Sequence, residues 1–189
     1  MKSVLISIQP KWCELIASGK KTVEVRKIKP KNLEIPFKCY IYCTNAKNKE
    51  EKLVLQPFGY ELGGIESSLT YRGNGKVIGE FVCDEVCIYG QALFDEQEPI
   101  DTEEIIELLN NSQLTYKELR KYVGSKDFYT LHISDFIIYD KPKELSEFVM
   151  PCNHKNDCWT CDRYDYIGNR CFNELRRPPQ SWCYIEKKE

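Results

Sequence analysis

The chain has 189 residues, 42% of them hydrophobic and 30% charged, which fits one domain over 1–189 and excludes a disordered chain. A net charge of −2 excludes a protein that coats nucleic acid through general basicity. No apolar run approaches the roughly 18 residues that span a membrane, and the apolar run in the opening MKSVLISIQP is too short for a signal peptide. No membrane partner and a cytoplasmic location are therefore expected.

The charge is unevenly spread. Residues 1–52 hold twelve Lys/Arg against five Asp/Glu, and residues 91–150 hold six against thirteen. The plain reading of this distribution is solvated surface; the functional one is that the basic end attracts a phosphate-bearing ligand.

Residues 3–8 are short, apolar and β-branched and predict a strand. Pro10 can open a helix, Trp12, Leu15 and Ile16 share one helical face, and Gly19 can end it, so 10–18 is a predicted helix. The alternation of KTVEVRK predicts a strand over 21–27, and FKCYIYCT another over 37–44. Residues 45–75 are polar, without a period, and predict a long loop. KVIGEFVCDEVCI predicts one long strand over 76–88, with Gly79 marking a bulge.

Two helices are predicted next, an acidic amphipathic one over 102–109 and a second over 115–123 ended by Gly124. One or two strands follow over 128–139, a helical turn over 142–148 and a last strand over 181–185. Strands and short helices without a βαβ rhythm indicate an α+β fold with a mixed sheet or small barrel.

Ten cysteines in a reducing compartment are expected as thiols or metal ligands. Cys13, Cys39, Cys43, Cys83 and Cys87 sit in apolar runs and are read as buried small hydrophobes, as is Cys183 in the last strand. The insertion 150–175 differs. Cys152, Cys158, Cys161 and Cys171 supply four thiolates within twenty residues, two of them at the Cys-x2-Cys knuckle spacing. That set predicts a structural zinc, with His154 able to replace one sulfur. The ion would supply folding energy to a segment with little apolar material of its own. Arg163, Arg170, Arg176 and Arg177, with Tyr164 and Tyr166 interleaved, flank it.

The candidate site is Gly19-Lys-Lys-Thr-Val-Glu-Val-Arg26. In a strand Thr22, Glu24 and Arg26 share one face and Val23 and Val25 the other, with the valines toward the core. Arg26 offers a bidentate fork for phosphate or a carbonyl, Glu24 accepts from an amino or ring N–H, and Lys21 neutralises charge or acts as a base. The plain alternative is an exposed strand carrying a salt bridge. Ser7, Gln9, His132, Gln180 and Ser181 are further candidates for binding a ligand by hydrogen bonds, and Trp12 for stacking or core packing.

The octapeptide, as Gly19-x-Lys21-x-x-Glu24-x-Arg26, resembles the signature of ASCH domains in the PUA-like superfamily. Val4–Pro10 leading into Lys11-Trp12, Lys76–Phe81, Leu131–Ser134 with Tyr139–Pro142, and the closing Pro178–Trp182 are similar to its phage and bacterial branch. The resemblance implies a small mixed or antiparallel β-barrel with short flanking helices. It implies a module that binds RNA, a nucleotide or a modified nucleobase in a barrel cleft. Some members are hydrolases on N4-acetylated cytidine or ribonucleases, which would give Lys21 and Glu24 catalytic roles. The amidohydrolases carry a threonine where this chain has Glu24. A protein-interaction module using the Cys-rich loop and the acidic helix is a further alternative.

Overall fold

The computed structural model describes residues 3–45, 53–55, 71–94, 103–151 and 173–187. In chain order the elements are β1 (Ser3–Ile8), α1 (Pro10–Ala17), β2 (Val23–Arg26), β3 (Phe37–Cys43), β4 (Val54–Leu55), β5 (Tyr71–Arg72), β6 (Lys76–Cys83) and β7 (Val86–Tyr89). Then come α2 (Glu103–Ser112), α3 (Tyr116–Val123), β8 (Phe128–His132), β9 (Ser134–Lys143), β10 (Phe148–Met150), β11 (Asn173–Glu174) and β12 (Trp182–Lys187).

Apolar β1 is buried at every position because both of its faces are covered, Val4, Ile6 and Ile8 by one core cluster and Leu5 by another. It pairs parallel with β3 and antiparallel with β12, at the centre of a seven-stranded sheet ordered β11-β10-β12-β1-β3-β6-β9. α1 and β2 lie in the crossover that the parallel β1–β3 pair requires. A second, antiparallel sheet has the order β2-β8-β7, and β4 pairs with β5.

The chain passes from the large sheet to the small one between Cys83 and Val86, and returns between His132 and Ser134. The two sheets thus share corners. Val4, Ile6, Ile41, Ile78 and Phe81 of one meet Leu131 of the other in a common core that also takes Cys13 and Ile16 of α1. A second cluster joins Val25 and Phe128 to Leu108, Leu119 and Val123 of α2 and α3.

The expected barrel is corrected. Among the described residues the strands form three sheets and do not close. β2 pairs with β8 and stops after four residues, and Pro30, with no N–H to donate, follows in the loop 27–36. The strand expected over 76–88 is two strands, because Asp84 and Glu85 turn the chain into the other sheet. Gly79 does sit where the β6–β9 register shifts, and a Cβ there would lie 2.4 Å from the Ile137 carbonyl oxygen. Thr115 caps α3 in a capping box with Glu118, and Gly124 closes it. The turn expected over 142–148 shrinks to Leu145–Glu147, since Pro142 and Lys143 end β9.

Part of the expected 45–75 loop is the β4–β5 ladder. Cys87 and Cys183 are half-buried, not buried, while Cys13, Cys39, Cys43 and Cys83 are fully enclosed as thiols. Cys152, Cys158, Cys161, Cys171 and His154 lie outside the described residues. Among the described residues no group of His, Cys, Asp or Glu is arranged to hold a metal ion. No helix among them is long and apolar enough to cross a membrane.

Candidate functional site

The end of α1 sets the site. Lys20 N–H bonds the Leu15 carbonyl at 3.0 Å and Gly19 N–H bonds that of Ile16 at 2.9 Å, a Schellman closure with Gly19 at φ 70°. The Lys21 N–H also reaches the Leu15 carbonyl, at 2.9 Å. The backbone therefore delivers Lys21 in one place, just ahead of β2.

There its ammonium donates to the carbonyl of Ser112, the last residue of α2, at 2.8 Å. A cation at that end answers both the unfilled carbonyl and the negative pole of the helix. The same ammonium lies 3.3 Å from Glu24 Oε2, and Glu24 Oε1 lies 3.0 Å from Arg26 Nη2. Arg26 Nη2 also donates to the Ser7 carbonyl at 2.8 Å, and Nη1 reaches the Ser181 carbonyl and hydroxyl at 3.4 and 3.3 Å. Ser7 in turn donates from Oγ to the Pro179 carbonyl at 2.6 Å and from its N–H to the Ser181 carbonyl at 2.9 Å.

The face opposite the valines is thus no exposed strand surface. Lys21, Glu24 and Arg26 are only 3%, 8% and 5% exposed. The pairing of Glu24 with Leu131 turns that face toward the common core, while Val25 turns toward α2 and α3. Burying two cations and one carboxylate is costly unless each is paired and hydrogen-bonded. The excess positive charge is met by three backbone carbonyls, those of Ser112, Ser7 and Ser181. One donor remains: Arg26 Nε is buried without a hydrogen-bond partner among the described residues. Burial pushes the Lys21 ammonium below its ordinary 10.5, Glu24 opposes that shift, and Arg26 adds to it.

Of the predicted residues, Ser7, Lys21, Glu24, Arg26 and Ser181 come together in one network. Gln9 and Gln180 are exposed and make no bond to it, Gln9 serving through its carbonyl as the start of α1. His132 stands apart from that network. It pairs with Val23, on the other face of β2 from Glu24, and its Nδ1 lies 2.7 Å from Asp84.

Trp12 is half-buried against the core and also has Lys21 Nζ 5.3 Å from its ring centre. Two participants were missed. The Ser112 carbonyl is invisible to side-chain motifs, although the helix end expected nearby was a clue. Tyr122 on α3 has its phenol raised by burial, lowered by Arg26 and raised by Glu24, which places it within the field of the triad.

No protein-family model matches the chain, and no curated protein matches it. Solved structures do. A serine-to-alanine variant of the ASCH protein of Zymomonas mobilis superposes with a TM-score of 0.54 at 17% identity, covering 98% of this chain and 89% of that one. The unsubstituted ASCH of the same organism gives a TM-score of 0.48 at 18% identity, over 98% and 88%. A tyrosine-to-phenylalanine variant gives 0.48 at 18% identity, over 100% and 93%. At these identities the likeness speaks for the fold alone, and on that ground the chain has an ASCH-like fold.

Proposed function

We propose that the chain is an ASCH-like module that binds RNA, a nucleotide or a modified nucleobase at Lys21, Glu24 and Arg26. The observation that carries this reading is the buried Arg26 Nε, a charged donor without a hydrogen-bond partner among the described residues. A ligand carbonyl or phosphate oxygen would accept from it, while the remaining lone pairs of Glu24 would take an amino or ring N–H.

A second reading is a hydrolase, on an N4-acylated cytidine or on RNA. The lowered Lys21 ammonium favours it, since a lysine shifted toward neutrality is a better general base. Glu24 instead of a hydroxyl beside Lys21 argues against the acyl-transfer version.

Native mass spectrometry of the protein with a mixture of nucleosides and short RNAs separates these readings. Binding predicts an adduct that Glu24→Gln loses while its circular dichroism stays native. A product mass that depends on Lys21 supports the hydrolase. Neither adduct nor product would refute both.

A further inference from the structure

Beyond the triad, the chain leaves β2 through the loop 27–36, which carries Lys27, Lys29 and Lys31 against Glu34. All three lysines are exposed, and none forms an ion pair among the described residues.

The loop is fastened. Trp182 Nε1 donates to the Ile28 carbonyl at 2.8 Å, the Tyr184 hydroxyl donates to the Lys31 carbonyl, and Leu33 packs into the common core. Trp182 and Tyr184 brace each other edge to face, 5.3 Å between ring centres. The lysines are therefore presented from a held backbone.

Two of these cations stand over aromatic rings of neighbouring elements. Lys27 Nζ lies 5.2 Å from the ring centre of Tyr122, and Lys29 Nζ lies 5.5 Å from that of Tyr129, the residue paired with Arg26 across β2 and β8. On the other side of the triad Lys11 Nζ lies 4.3 Å from Trp12, and Lys11 also bridges to Glu118 on α3 at 3.3 Å. The acidic residues of α2, Glu103, Glu104 and Glu107, are on the exposed face of a helix whose other side packs on Val25.

A run of cations with aromatic rings beside it, leading away from the buried triad, is what an unpaired strand requires. Phosphates take the charges, and bases take the ring faces.

We propose that the ligand is a single-stranded polynucleotide rather than a free nucleoside, with its sugar-phosphate backbone following Lys27, Lys29 and Lys31 away from the base held at the triad. This rests on the function proposed above and narrows its ligand.

The test uses fluorescence anisotropy with labelled single-stranded RNA and DNA of about twelve nucleotides and mixed sequence. Titrations run at about 50 and about 200 mM salt. Equilibrium dialysis of nucleosides, and competition by polyglutamate, run alongside. The substitutions K27A, K29A and K31A are combined in one variant.

Losing three phosphate contacts should weaken oligonucleotide binding about tenfold or more and make its log–log salt slope shallower by about 2. Nucleoside binding should stay unchanged. Binding of RNA or DNA with this response supports the proposal, and their ratio reports whether the 2′-hydroxyl is read. If the triple variant binds oligonucleotide with unchanged affinity and slope, the track is refuted. The same holds if nucleosides bind as tightly as oligonucleotides, or if polyglutamate displaces RNA at equal charge. Should nothing bind, the triad reading falls together with the track.

Discussion

Arg26 donates to the main-chain carbonyl of Ser7 at 2.8 Å, and by that bond a side chain joins β2 to β1 where no strand pairing does. The same guanidinium reaches Ser181, 155 positions further along the chain. Arg26→Lys keeps the charge but has no fork to hold Glu24, Ser7 and Ser181 together. Losing charge-assisted bonds of this kind should lower stability by about 2 kcal/mol. Urea unfolding checks this; a midpoint equal to the wild type would show that the bridge contributes nothing.

Lys21 gives a pH signature. Its folded value lies below 10.5, so between that value and 10.5 the unfolded chain binds the extra proton. Stability from this group must therefore rise with pH through that window. Groups raised by burial act oppositely: the Cys83 thiol, pushed up to about 12, and the Tyr139 phenol, raised by burial and by Glu80, lose stability as pH climbs past their ordinary values. The clean quantity is the difference between the wild type and Lys21→Met. Measured by thermal unfolding from about pH 7 upward, it should move in favour of the wild type. A flat or falling difference would contradict the buried placement.

Gly79 holds the bulge that lets β6 lie between β3 and β9. A methyl group there would meet the Ile137 carbonyl oxygen at 2.4 Å, and backbone cannot step aside as a flexible side chain can. Gly79→Ala should destabilise by about 2 kcal/mol with little effect on the triad. A melting temperature within error of the wild type would mean that the β6–β9 register is looser than described.

Much of this was legible in the sequence, for local reasons. Gly19, Lys21, Glu24 and Arg26 are tied by one helix closure and a two-residue period, and both are short-range. The burial of Glu24 and Arg26 was not legible, because the groups that cover and satisfy them, Ser7 and the segment around Ser181, are far away in the chain. The same is true of His132: alternation set it apart from Leu131, but only the pairing of β8 with β2 decided which of the two shares a face with Glu24. The barrel failed as an expectation because closure depends on whether β2 reaches β1, and no local pattern reports that. Gly79 was readable as a bulge because a glycine inside a strand pattern has few other uses.

The cysteine-rich insertion makes a prediction from spacing alone. Cys152, Cys158, Cys161 and Cys171 should bind one zinc, seen as a mass increment on the native protein and lost under denaturant with chelator. Replacing Cys158 and Cys161 by Ser should remove the increment and lower the melting temperature. A native mass without metal would withdraw the assignment.

The ligand proposed for the triad would meet the buried Arg26 Nε–H. Shielded from solvent, that proton should give its own resonance in a proton–nitrogen correlation spectrum of the labelled protein, identified by its absence in Arg26→Lys. On titration with short single-stranded RNA this resonance should move downfield and saturate together with binding. If RNA binds and shifts other signals while the Nε–H stays in place, the ligand sits elsewhere and the triad is only a buried clasp between the two sheets.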